Sequence, residues 1–157
     1  MRIQLRVLAL SMSVAIGACG SDDGSQSANR VDPELVAVGG AWTLVDQWEM
    51  LDIAVDASAG TLTVGEPDGT IRRFRVNART EPDGSTILVL QDDSTTMTWR
   101  LALVGNHARV RMAAGDEAPA DGYAREGPEL FRDAAAASLL ADERRRIEAT
   151  RRSIMLY

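Results

Sequence analysis

Between Thr95 and Ala114 the chain alternates apolar and polar residues on both sides of a Gly105-Asn106 pair. Few arrangements other than a tight antiparallel hairpin satisfy both features. Met97, Trp99, Leu101 and Leu103 alternate with Thr96, Thr98, Arg100 and Ala102; Ala108, Val110 and Met112 alternate with His107, Arg109 and Arg111. A two-residue loop that opens on glycine favours a type II′ turn, which pairs Val104 with His107. Leu103 then faces Ala108, Leu101 faces Val110 and Trp99 faces Met112, so every apolar side chain meets another on one face. A slip of one residue would reverse one strand's faces, so turn and pattern specify the same register. On the opposite face Arg100 falls directly across from Arg111, with Arg109 beside Ala102.

The same grammar runs from Ala41 to Ala114. Turn signals stand at Ala59-Gly60, Glu66-Pro67-Asp68-Gly69, Glu81-Pro82-Asp83-Gly84 and Asp92-Asp93-Ser94. In Pro-Asp-Gly, proline presets φ and glycine supplies a positive φ. Between the turns lie short runs rich in Val, Ile, Thr, Leu and Trp, the mark of an antiparallel meander, sandwich or barrel. Ile71 is out of phase with Phe74 and Val76, which suggests a bulge nearby. Ile87-Leu88-Val89-Leu90 is apolar on both faces and should be central or covered by a helix. The predicted fold is mainly β: six to eight strands over about Trp42 to Ala114, in an antiparallel meander closing into a small barrel, within a β domain of residues 35–127. The alternative is an α+β two-layer sheet with a helix across one face.

A C-terminal α-helix is predicted over residues 128–157, as one helix or two. Proline is favoured at a first helical position, and Glu129 and Asp133 suit the positive end of the helix dipole. No Gly or Pro follows Pro128. Asp142 with Arg146 and Glu148 with Arg152 are acid-to-Arg pairs four apart. Leu140, Ile147 and Ile154 recur every seven residues as a thin apolar stripe.

The first residues have a different character. Arg2 and Arg6 precede an apolar run, Val7 to Ile16, that is shorter than the ~20 residues a spanning helix needs. A basic start, a short apolar run and a small-residue exit mark a secretory signal over residues 1–18. The exit, Ile16-Gly17-Ala18-Cys19, resembles the lipobox of bacterial lipoproteins. That resemblance implies lipidation of Cys19, the only cysteine, and a membrane anchor through the lipid. Residues 19–34, rich in Gly, Ser and acid at their start, read as a flexible tether. Gly20 stands where an Asp resembles an inner-membrane retention signal, so the expected site is the bacterial cell envelope, at the outer membrane facing the periplasm.

About 120 residues remain past the tether, one domain by ordinary size and large enough to close a core without disulfides. The 17 basic residues are all arginine; removing Arg2 and Arg6 takes the net charge from −6 to −8. That balance argues against general nucleic-acid binding.

Val38-Gly39-Gly40-Ala41-Trp42-Thr43-Leu44 resembles the Gly-x-Trp opening of lipocalins and lipocalin-like small barrels. The resemblance implies that Trp42 closes one end of a barrel, that a strand meander follows and that a helix packs outside. Tyr123-Ala124-Arg125 is similar to the Tyr-x-Arg that ends the strand region in bacterial lipocalin-like domains.

Catalytic patterns are sparse. His107, the only histidine, has no second His or domain Cys with which to hold a metal. There is no Gly-x-Ser-x-Gly elbow, P-loop or dinucleotide fingerprint, and Asp92-Asp93 reads as a solvated turn. No catalytic residue, metal or cofactor is therefore expected. The Arg100, Arg109 and Arg111 face carries like charges that need relief, either from acidic neighbours on a solvated face or from an anionic ligand or acidic partner. Two functions fit: a non-catalytic binding module holding a small apolar or amphipathic ligand in the barrel, and an envelope scaffold or assembly accessory that docks another protein. They differ in whether the barrel is hollow.

Overall fold

A computed structural model describes residues 32–120, 122–123 and 127–155. Eight antiparallel strands run in sequence order round a closed barrel: β1 (Gly40–Asp46), β2 (Glu49–Asp56), β3 (Thr61–Gly65), β4 (Ile71–Thr80), β5 (Thr86–Gln91), β6 (Thr96–Val104), β7 (His107–Ala114) and β8 (Glu129–Phe131). A short helix, α1 (Pro33–Val38), precedes them and a long one, α2 (Ala134–Ile154), follows. The meander closes as a barrel, and the two-layer alternative is not adopted.

The β6–β7 hairpin has the register its turn dictates: Val104 opposite His107, Leu101 opposite Val110, Trp99 opposite Met112 and Arg100 opposite Arg111. Gly105 takes φ 60° while Asn106 stays negative, as a type II′ turn requires. Inward residues of all eight strands form one apolar core, from Trp42 and Ile53 through Phe74 and Leu88 to Trp99, Val110 and Leu130. Outward positions are mostly polar, as Arg73, Arg75 and Arg79 on β4 illustrate. Apolar inside and polar outside is the reverse of a transmembrane barrel. Among the described residues no helix is long and apolar enough to cross a membrane.

One end of the barrel is closed by α1. Asp32 caps this helix by accepting from the Glu34 amide at 3.0 Å, and Leu35 and Val38 sink into the core. The Trp42 indole N–H donates to the Val38 carbonyl at 2.8 Å. The Arg132 guanidinium lies over the Trp42 ring, 4.0 Å from its centroid, a cation–π contact. Gly40 makes room for it: φ is 101°, and a Cβ there would come within 2.9 Å of Arg132 Nη1. The sequence carries little sign of α1, since six residues are too few for a helical period. It takes up Pro33 and Glu34, which the tether expectation had included; the tether residues before Val31, and Val31 itself, lie outside the described residues.

Several expectations need correction. The helix begins at Ala134, not Pro128, and it is a single helix capped by Asp133, which accepts from the Ala135 amide. Glu129–Phe131 instead forms β8, because β1 and β7 both leave an open edge that only a further strand can satisfy. Ile71 causes no bulge: the β3–β4 register is continuous, and Ile71 simply faces solvent at 72 % exposure. The two-sided run on β5 is not buried by α2, which packs on β1, β2 and β8. Ile87 lies beside Arg100, whose Nε donates to the Pro119 carbonyl, so the β7–β8 connection passes over this face. Asp142 pairs with Arg145 at 2.7 Å instead of Arg146, while Glu148 and Arg152 pair at 2.9 Å as expected.

Four turns are tied by aspartates. Asp56 accepts from the Ser58 hydroxyl and the Ser58 and Ala59 amides. Asp68 accepts from the Thr70 amide, Asp83 from the Ser85 hydroxyl and amide, and Asp92 from the Ser94 and Thr95 amides. The serine hydroxyls at Asp56 and Asp83, and backbone amides at Asp68 and Asp92, hold all four carboxyls below the ordinary 3.8. A depressed carboxyl stabilises the fold above the unfolded pKa, and that contribution disappears as pH falls through the folded pKa. Melting temperature is therefore expected to be level above about pH 5 and to fall most steeply below 3.8. Replacing the four by asparagine, which retains an acceptor oxygen, should flatten that fall; an unchanged profile would show that the turns do not govern acid stability.

Candidate functional site

The barrel interior is filled. The void among Trp42, Ile53, Leu62, Leu88, Trp99 and Leu130 measures about 10 Å³, on the scale of a single water. The Trp99 indole N–H is buried there without a hydrogen-bond partner.

The arginines singled out in the sequence share the outer face of the β6–β7 hairpin, but they differ in environment. Arg100 is only 8 % exposed. Its Nε donates to the Pro119 carbonyl at 3.0 Å, and its Nη1 to Asp83 Oδ2 at 2.9 Å and Ser85 Oγ at 3.2 Å. Asp83, in the β4–β5 turn, is the acidic relief that the Arg100–Arg111 juxtaposition requires. Arg111 is exposed, and its Nη1 donates to the Gly122 carbonyl at 2.8 Å. Arg100 and Arg111 thus fasten the chain's own β7–β8 connection, together with Thr98, whose hydroxyl donates to the Gly115 carbonyl. Arg109 is exposed across from Glu129. Cys19 lies outside the described residues, as do Ala124 and Arg125 of the Tyr-x-Arg resemblance. Among the described residues no cluster of three metal-binding side chains occurs.

A second constellation lies where α2 crosses the β1–β8 seam. Ala137, Ala141 and Leu140 seat the first half of α2 on Val45 and Phe131. Arg144 then reaches the barrel: its Nη2 donates to Glu129 Oε1 at 2.6 Å and to the Gly127 carbonyl at 3.0 Å. The other oxygen of Glu129 meets His107 Nε2 at 2.6 Å, and the His107 ring lies 4.7 Å from Phe131. Glu129 therefore serves two partners at once. Arg144 Nη1 is buried with no hydrogen-bond partner, although the side chain is only 10 % exposed. Nearby Asp46 is pushed above the ordinary carboxylate range by burial, with Arg144 pulling the other way.

Beyond Arg144 the helix continues for about 15 Å, and the apolar stripe outlasts the barrel beneath it. Ile147 is 42 % exposed and Ile154 71 % exposed. Between this free half and the β1–β2 turn lies a groove of about 370 Å³, bounded by Gln47 and Trp48 on one side and by Arg144, Ile147, Glu148, Arg151 and Arg152 on the other. Gln47 holds φ 55° in a two-residue turn, a left-handed conformation uncommon for a residue with a side chain. Strain of this kind gathers at functional segments. This groove was scarcely legible beforehand, because Gln47-Trp48 lacks the glycine that marks most of the other turns. The unburied end of the Leu140–Ile147–Ile154 stripe was the available signal.

No protein-family model matches the chain, and no curated protein and no solved structure matches it at a significant level.

Proposed function

We propose that this protein is an envelope lipoprotein, anchored through Cys19, whose barrel is a non-catalytic docking module for another envelope protein. The filled interior carries this reading. A small-molecule site typically occupies ~300 Å³ or more, whereas the void inside the barrel is about 10 Å³. This favours the scaffold over the ligand-holding barrel of the two functions that fit the sequence. Recognition then belongs to the outer surface, where the larger concavity lies.

Two experiments test it. Cys19→Ser should abolish acyl labelling and release the protein from membranes; a serine variant that stays membrane-bound after a carbonate wash would overturn the anchor. For docking, a photoreactive residue is placed at Ala54, Ile71, Arg109 or Ile147, which spread around the outer surface. In cells at least one position should yield a discrete, identifiable protein adduct. Absence of an adduct from every position would overturn the docking role.

A further inference from the structure

We propose that the outer face of β4 docks an acidic, extended segment of the partner protein, with Arg73 and Arg75 each taking a carboxylate and Ile71 an apolar side chain. This rests on the docking role and names its site and chemistry.

The chain supplies many of its guanidinium groups with its own acids. Arg72, Arg79, Arg100, Arg144, Arg145 and Arg152 each hold a carboxylate within 3.2 Å. Arg73 and Arg75 are exposed and, among the described residues, hold neither an ion pair nor a hydrogen bond. Arg109 and Arg146 also lack an ion pair there, but each has a carboxylate at a neighbouring position: Glu129 across from Arg109, and Asp142 one helical turn before Arg146. Arg73 and Arg75 leave one strand on the same side, ~6.8 Å apart and inside the ~8 Å over which salt screens charge. Across from them on β3 stand Thr63 and Thr61, and across from Arg75 on β5 stands Gln91. None of the three is charged, so the repulsion between the arginines stays unrelieved until an anion arrives.

The surrounding acids decide the shape of that anion. Asp52 and Asp56 are exposed on β2, two strands away from β4, at a spacing of ~10 Å. On the other side Asp93 stands in the β5–β6 turn, exposed and without an ion pair to Arg73. These three carboxylates border the arginines. The headgroups of an anionic membrane form a continuous surface and would press on the border as well as on the arginines. A single extended chain lies between the acids and meets the arginines alone.

Spacing then gives the segment its pattern. Alternate side chains of an extended chain share a face at the same ~6.8 Å repeat. Ile71, Arg73 and Arg75 are alternate residues of β4, so their complement is an apolar residue with acids two and four positions away. Ile71 is 72 % exposed, and Gly65 across from it has no side chain to cover it. Both edges of β4 are taken, by β3 and β5, so side chains hold the segment and no strand is added to the sheet.

The test places an aromatic photoreactive side chain, which keeps an apolar contact, at Ile71 of the full chain in cells. Mass spectrometry should locate the adduct at an apolar residue of a protein segment with carboxylates two and four positions away. Arg73→Gln together with Arg75→Gln should lower the adduct yield about fivefold or more without lowering the melting temperature. Arg79→Gln, on the same strand but already paired with Glu81, should leave the yield within about twofold. No loss in the double variant, or an equal loss with Arg79→Gln, would overturn the role of the two arginines. An adducted segment without acids would overturn the chemistry, an adduct with lipid alone would overturn a protein occupant, and an adduct with a second copy of this chain would overturn the partner. A discrete adduct from Ala54, Arg109 or Ile147 with none from Ile71 would leave docking intact and remove only this face.

Discussion

Arg100→Ala is expected to cost about 3 kcal/mol and to lower the melting temperature by ~10 °C. The same change at Arg111, its direct cross-strand neighbour, should cost no more than about 1 kcal/mol. The two residues share a face and a register position and differ in surroundings. Arg100 is 8 % exposed and holds the Pro119 carbonyl, Asp83 and Ser85 together. Its removal unties the β4–β5 turn and the β7–β8 connection, and it uncovers Ile87, which is fully buried beside it. Arg111 is exposed and donates to the Gly122 carbonyl at the surface, so its loss removes solvated contacts and relieves like-charge repulsion. Thermal melts of both variants decide the matter; equal losses would refute the distinction.

Glu129→Ala should be as damaging, at about 3 kcal/mol or more. The carboxylate is 18 % exposed and accepts from Arg144 and His107, both at 2.6 Å. Without it a guanidinium only 10 % exposed keeps the Gly127 carbonyl as its nearest acceptor, and stranding a buried charge costs more than the pair itself contributes. Two controls sharpen this. Glu129→Gln keeps an acceptor oxygen and should lose less. The double variant Glu129→Leu, Arg144→Leu removes both charges and should recover much of the stability, a coupling that a double-mutant cycle measures. Strict additivity would show that Arg144 does not depend on Glu129.

The strands and the β6–β7 register were legible because each rests on a local rule. Gly105 dictates a turn, and the turn dictates which face Trp99 and Arg100 take. The closure of the barrel was not legible, since β8 is three residues whose identity as strand depends on β1 and β7 both lacking a partner. Pro128 and Glu129 fit a helix start equally well when read alone; Asp133, followed by four alanines, was the better cap. Burial of Arg100 also escaped the sequence, because a period of two places it outside the barrel without revealing that a connection lies over it. The groove depends on where α2 outruns the barrel, a length comparison between elements far apart in the chain.

The seam made by β8 has a consequence for solubility. Three residues join β1 to β7, although β1 is seven residues long and β7 eight. When β8 detaches, two long strand edges become templates for pairing with other chains. What holds β8 down is the helix: Ala137 and Ala141 press on Val45 beside it, and Arg144 grips Glu129. In this sense α2 is the latch of the barrel, and variants that loosen the helix should aggregate before they unfold.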